Sequence, residues 1–169
     1  MAVSKITYAT KTSISMDLSA LASSSSLLAG RESNEIDNTS NLYVDALVQG
    51  VVTVGTTPTT GKSIQVYVWG SDTAASTTNL DVLDGVDSAE TLTNAGVRDA
   101  LLKYGAGVLL DAATSNQAYP IGPFSVAQLF GSMPKYWGLF VTQETGVALK
   151  TDAANTNSFS YTGITYTTA

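Results

Sequence analysis

From Ile64 to Trp69 the chain alternates, with Ile64, Val66 and Val68 on one face and Gln65, Tyr67 and Trp69 on the other. A period of two, carried by β-branched and aromatic residues, predicts a strand. Leu42–Val48 alternates likewise, with Leu42, Val44 and Ala46 opposite Tyr43, Asp45 and Leu47, and runs on through Gln49 and Gly50 to Val54. A glycine inside such a pattern predicts a bulge or bend at Gly50. Gly55–Gly61, with Pro58 in its middle, reads as a turn. Leu42–Val54 and Ser63–Trp69 are therefore expected as adjacent antiparallel strands.

The C-terminal third repeats the theme. Tyr136–Thr142 predicts a strongly buried strand, and Phe159–Tyr161 with Ile164–Tyr166 a last one, bulged at Thr162 and Gly163. Pro120 and Pro123 remove ladder donors, so Tyr119–Pro123 is expected at an edge or in a loop. Phe124–Phe130 reads as a strand or a short turn, and Lys5–Leu18 as one or two strands. The window Asn94–Tyr104 fits a helix capped by Asn94 and stopped by Gly105 and Gly107. It fits equally a strand interrupted by those glycines.

Short strands, Gly/Pro/Thr-rich loops and little helix predict an all-β fold. It is expected to be an antiparallel two-sheet β-sandwich, jelly-roll-like, with long loops and one candidate short helix. Residues 1–28 are expected as an N-terminal arm or the first strands, and 29–169 as the sandwich domain. The stretch Asp72–Asp99 is long for a sandwich loop, which points to a functional or interface-forming role.

Composition narrows the chemistry. The 169 residues hold 19 Ser and 23 Thr but only 13% charged residues, about half the usual share. Without His or Cys there is no disulfide, thiol nucleophile, zinc–cysteine cluster or Ser-His-Asp triad. Eight basic against fourteen acidic residues give a net charge of −6. That balance argues against nucleic acid and against an anionic membrane surface as partners. No apolar run approaches the roughly 20 residues that span a bilayer. Met1–Tyr8 lacks the apolar stretch of a signal peptide, so folding in a cytoplasm is expected.

Three segments resemble chemical motifs. Asp81, Asp84, Asp87 and Glu90 recur every third residue, and oxygen-rich loops bind Ca²⁺. The spacing does not match an EF-hand loop, and a solvated loop of turns and caps explains it better. Glu32, Glu35 or Glu144 paired with an Asp would be the carboxylates of a glycosidase, yet nothing in the sequence makes any two converge. Gly55 to Gly61-Lys62-Ser63 approximates a phosphate-binding loop, but the glycine spacing is one too long and a strand follows instead of a helix. No enzyme and no cofactor is expected. The polar stretch Arg31–Asn38 reads as a connecting loop or as a surface contact in which Arg31 and Glu32 face a neighbour. Tyr43, Tyr67 and Trp69 share one parity on their strands, which fits a core face, an oligomer interface or a sugar-stacking platform.

Gly30–Ser33, Asp37–Val48, Gly61–Trp69, Asp81–Gly85, Tyr119–Pro123 and Pro134–Thr142, taken in order, resemble virion structural proteins of tailed bacteriophages. The resemblance covers most of the chain from Ala29 onward and rests on the order and style of segments. It implies a capsid cement or decoration protein on the capsid surface of a virion assembled in the host cytoplasm. Its implied partners are the major capsid protein and itself, as a homotrimer. Interface residues would then be Arg31, Glu32, Tyr43, Tyr67 and Trp69. The alternatives are a tail or head–tail connector protein, or a carbohydrate-binding module.

Overall fold

The computed structural model describes residues 4–151 and 157–168. Two antiparallel sheets pack face to face. The first contains β1 (Ser4–Tyr8), β2 (Thr12–Ile14), β5 (Asp45–Thr53), β9 (Ala118–Ser125) and β11 (Ser158–Thr168), in the order β1-β11-β5-β9 with β2 also on β11. The second contains β3 (Ala29–Glu32), β4 (Ile36–Asp37), β6 (Ser63–Ser71), β7 (Ala89–Thr91), β8 (Lys103–Leu109) and β10 (Tyr136–Gln143), in the order β7-β3-β10-β6-β8 with β4 also on β10. Two short helices, α1 (Ala95–Leu101) and α2 (Val126–Phe130), lie in the connections.

The pairs β1·β11, β3·β10, β5·β9 and β6·β8 join the chain's start to its end and then close inward. That is a folded-over double strand, the jelly-roll arrangement expected for a two-sheet sandwich. It also corrects one expectation. β5 and β6 are consecutive but do not pair, because the loop between them carries the chain from one sheet to the other. Local alternation makes both strands; only the long-range partners β11 and β10 decide where each one sits.

Alternation sorts the side chains as the sequence indicates. Ile64, Val66 and Val68 of β6 and Trp137, Leu139 and Val141 of β10 face the first sheet's Ala46, Val48, Val52, Ile121 and Phe159. The predicted irregularity at Gly50 is present as a register shift between β5 and β9. None occurs at Thr162 and Gly163, where β11 and β5 pair without a break. The prolines at 120 and 123 lie on β9, an outer strand of its sheet. Asn94 caps α1 by accepting from the Val97 N–H at 2.9 Å. The helix ends at Leu101, and Gly105 and Gly107 fall inside β8, so helix and strand each claim half of the ambiguous window. Residues 4–14 supply β1 and β2, and Ile14 and Leu18 are buried in the core. β1 and β2 are thus strands of the first sheet.

Several strand glycines are each roofed by an aromatic ring, which replaces the side-chain contacts that glycine lacks. Gly138 stands directly opposite Trp69, and a Cβ there would lie 2.5 Å from the indole. Gly163 lies under Tyr43 in the same way, and Gly50 under Phe159. Trp69 and Trp137 are fully buried, and neither indole N–H has a hydrogen-bond partner, so packing alone holds both rings.

Gly138→Ala should therefore destabilise the fold by about 1–3 kcal/mol, the usual range for overpacking a full core. Urea unfolding followed by tryptophan fluorescence checks this. An unchanged midpoint would mean that Trp69 is not seated on Gly138.

Candidate functional site

The outer face of the second sheet carries Tyr67, Trp69 and Phe140. The chain from β6 to β8 folds back across this face as a strap. Leu80, Leu83, Leu92 and Leu102 are buried against the aromatic residues, with Leu28 packed alongside. The centre of the second sheet is thus covered on both faces, which explains why β10 reads as a nearly continuous buried run.

Polar groups fasten the strap at one place. Glu32 lies on the strap side of β3, opposite Phe140, and is fully buried. Its carboxyl oxygens accept from the Asp84 N–H at 3.1 Å and the Gly85 N–H at 2.9 Å. Glu35 accepts from the Ala75 N–H, and the Glu35 N–H donates to the Gly85 carbonyl. Arg31 forms an ion pair with Asp87 and donates a second bond to its carbonyl. Asp87 also accepts from the Asp17 N–H, and its own N–H donates to Asn34. The polar stretch 31–35 and the acidic stretch 81–90 are therefore each other's partners. Gly85 has φ +79°, and a Cβ there would press on Ala75 and Glu35, so this turn needs glycine.

Burial pushes the Glu32 carboxyl up to about 7, against the two N–H bonds, which favour its charged form. Asp84 and Glu90 nearby push it the same way as burial.

The remaining acids of the strap serve local turns. Asp81 accepts from Thr93, Asp84 from the Val86 N–H, and Glu90 from Ser88. Among the described residues no three acidic side chains converge as a metal site would require. Glu144 receives Lys62 at 3.2 Å and the Ser63 hydroxyl at 3.2 Å, which ties together the loop that approximated a phosphate-binding motif.

The five expected interface residues separate. Glu32 and Trp69 have no exposed surface, and Tyr67 is nearly buried, with Arg98 over its ring at 5.6 Å. Arg31 is half-buried in its pair with Asp87. Tyr43 is not on the same face as Tyr67 and Trp69. It precedes β5 of the other sheet and packs edge-on against Tyr161 at 6.5 Å. With Trp69 and Trp137 both interior, neither can stack a sugar.

Other apolar side chains do reach the surface, among them Val86 of the strap and Tyr104 and Leu109 of β8. Ile6, Tyr8 and Tyr166 are each about 60% exposed on the paired chain ends. Leu42 is 71% exposed with φ +51°, a conformation that costs a leucine about 1 kcal/mol or more. Asn38 holds it there, accepting from the Tyr43 N–H and donating to the Tyr43 carbonyl. Parity could not have found these residues, because alternation does not say which face is outside. One signal was available: Ile-Thr-Tyr occurs at 6–8 and again at 164–166. No family model, curated protein or solved structure matches the chain.

Two predictions test the strap. The folded protein binds the Glu32 proton more tightly than the unfolded chain, so this contribution is complete below about pH 4.5 and lost as pH passes about 7. Stability should fall across that window by at most about 3 kcal/mol. Glu32→Gln should remove the slope, whatever its absolute stability; an unaltered slope would assign the titration elsewhere. Gly85→Val should expose the strap to limited proteolysis between Asp72 and Glu90 while the rest of the chain resists. Equal protection in both proteins would mean that the turn does not fasten it.

Proposed function

We propose that this chain is a non-enzymatic structural protein of a tailed-phage virion, a decoration protein that binds the outer shell and stabilises contacts between major capsid subunits. The observation that carries the reading is the jelly-roll strand order, β1-β11-β5-β9 facing β3-β10-β6-β8. That architecture recurs in viral capsid and lectin domains. Fold alone does not choose between such roles. The resemblance of successive segments to phage virion proteins favours the first. The strap supports it too: the acidic and basic groups that suggested chemistry are engaged in holding one loop to one sheet. A protein braced in this way offers a stiff surface to a neighbour.

Purified phage particles from a culture producing the chain should bind an antibody raised against it over the head. Quantitative mass spectrometry should find it in hundreds of copies per particle. Label confined to the tail with a few dozen copies would favour the tail or connector reading. Absence from particles would overturn both.

A further inference from the structure

The ends of the chain form a ribbon with an open side. β1 pairs with β11 from Ser4 opposite Thr168 to Tyr8 opposite Ile164. The next pair, Ala9 and Gly163, is joined by the Ala9 N–H to the Gly163 carbonyl. Antiparallel ladders alternate bonded and non-bonded pairs. Thr7–Thr165 and Lys5–Thr167 are then bonded pairs, and the N–H and C=O groups of Ile6 and Tyr8 point away from β11. β1 ends its sheet, so among the described residues no strand receives them. β5 supports β11 only as far as Ile164, which accepts from the Val44 N–H. Beyond that point the ribbon is two strands wide, an arrangement of marginal stability in water.

The other sheet edges are blunted in ways that discourage strand addition. β9 carries Pro120 and Pro123, β7 is three residues long with Glu90 at its centre, and β8 is broken by a register shift opposite Val66 and Tyr67. β1 has only Lys5, and neither β1 nor β11 contains an acid, in a chain of net charge −6. No carboxylate of this edge would therefore oppose one from a second copy. Its inner side already pairs Ile6-Thr7-Tyr8 antiparallel with the same tripeptide at 164–166, setting Ile against Tyr twice. Such aromatic–β-branched cross-strand pairs are favourable.

We propose that two copies of the chain associate through the free edge of β1, antiparallel and two-fold symmetric, with Ile6 of each copy opposite Tyr8 of the other and Thr7 opposite Thr7. This register repeats, on the open side, the side-chain pairs that the closed side makes. It lets the outward N–H and C=O groups of Ile6 and Tyr8 bond, and it sets Lys5 opposite Ala9 rather than another lysine. The interface is isologous. It is smaller than the roughly 1,600 Å² of a standard complex, so association should fall in the micromolar range. The inference holds whether or not the chain sits on a capsid.

Sedimentation equilibrium across the micromolar range tests it. The unaltered protein should approach twice 17.5 kDa. Thr7→Glu and Thr7→Lys each put like charges across the two-fold axis and should weaken association about ten-fold or more. An equimolar mixture of the two should restore it. Circular dichroism confirms that each variant keeps its strands; if one does not, Ile6→Ser replaces it, with the same weakening expected. A monomer throughout the range overturns the proposal. So does a trimer, a charge variant that pairs as well as the unaltered chain, or a mixture that fails to recover.

Discussion

The second sheet bears Tyr67, Trp69 and Phe140 on the face turned away from the first sheet, and covering that face organises much of the molecule. Exposed to water, three adjacent aromatic side chains would forfeit several kcal/mol of burial. The strap covers them with four buried leucines from the β6–β8 connection. This explains the length of that connection, its spaced leucines and the position of α1, which ends where Leu102 turns inward. It also explains the dense polar pairing at 31–35 and 81–90, since a long loop laid over a sheet must be held at defined points to stay there.

Holding it has an electrostatic consequence. Glu32 must be buried to reach the N–H groups of Asp84 and Gly85, and burial disfavours its charge. The same carboxyl therefore fastens the strap and makes the fastening sensitive to pH. Arg31 and Asp87, about one-fifth exposed at the margin, keep an ion pair that solvent reaches and partly screens. Exposed Asp37 behaves in the opposite sense to Glu32: hydrogen bonds from the Thr39 hydroxyl and N–H hold its carboxyl below the usual range.

With the aromatic centre of the second sheet covered, exposed apolar side chains remain at the sheet margins and loops, Tyr104 and Leu109 of β8 among them. Ile6, Tyr8 and Tyr166 lie on the ribbon of the two chain ends, and Leu42 stands on the loop that Asn38 clamps. A surface of this kind suits a protein that works through contact with other chains, which is the role proposed for it.

Much of the fold was legible in the sequence because alternation is a local property. Ile64–Trp69, Tyr136–Thr142 and the bulge at Gly50 follow from periods and from the missing side chain of glycine, and each forms as its residues dictate. Partnering is not local. Nothing in Leu42–Val54 or Ser63–Trp69 says that the loop between them changes sheets; that follows from β11 and β10, far along the chain, taking the places beside them. The candidate site divides in the same way. The sequence by itself determined that Tyr67 and Trp69 share a face, that Arg31–Asn38 and Asp81–Glu90 are polar, and that His and Cys chemistry is excluded. Only the tertiary structure decided that the aromatic face lies beneath a strap, that the two polar stretches bind each other, and that Ile6, Tyr8 and Tyr166 are among the exposed apolar residues. Burial depends on what the rest of the chain places over a residue, and a pattern of period two does not contain that information.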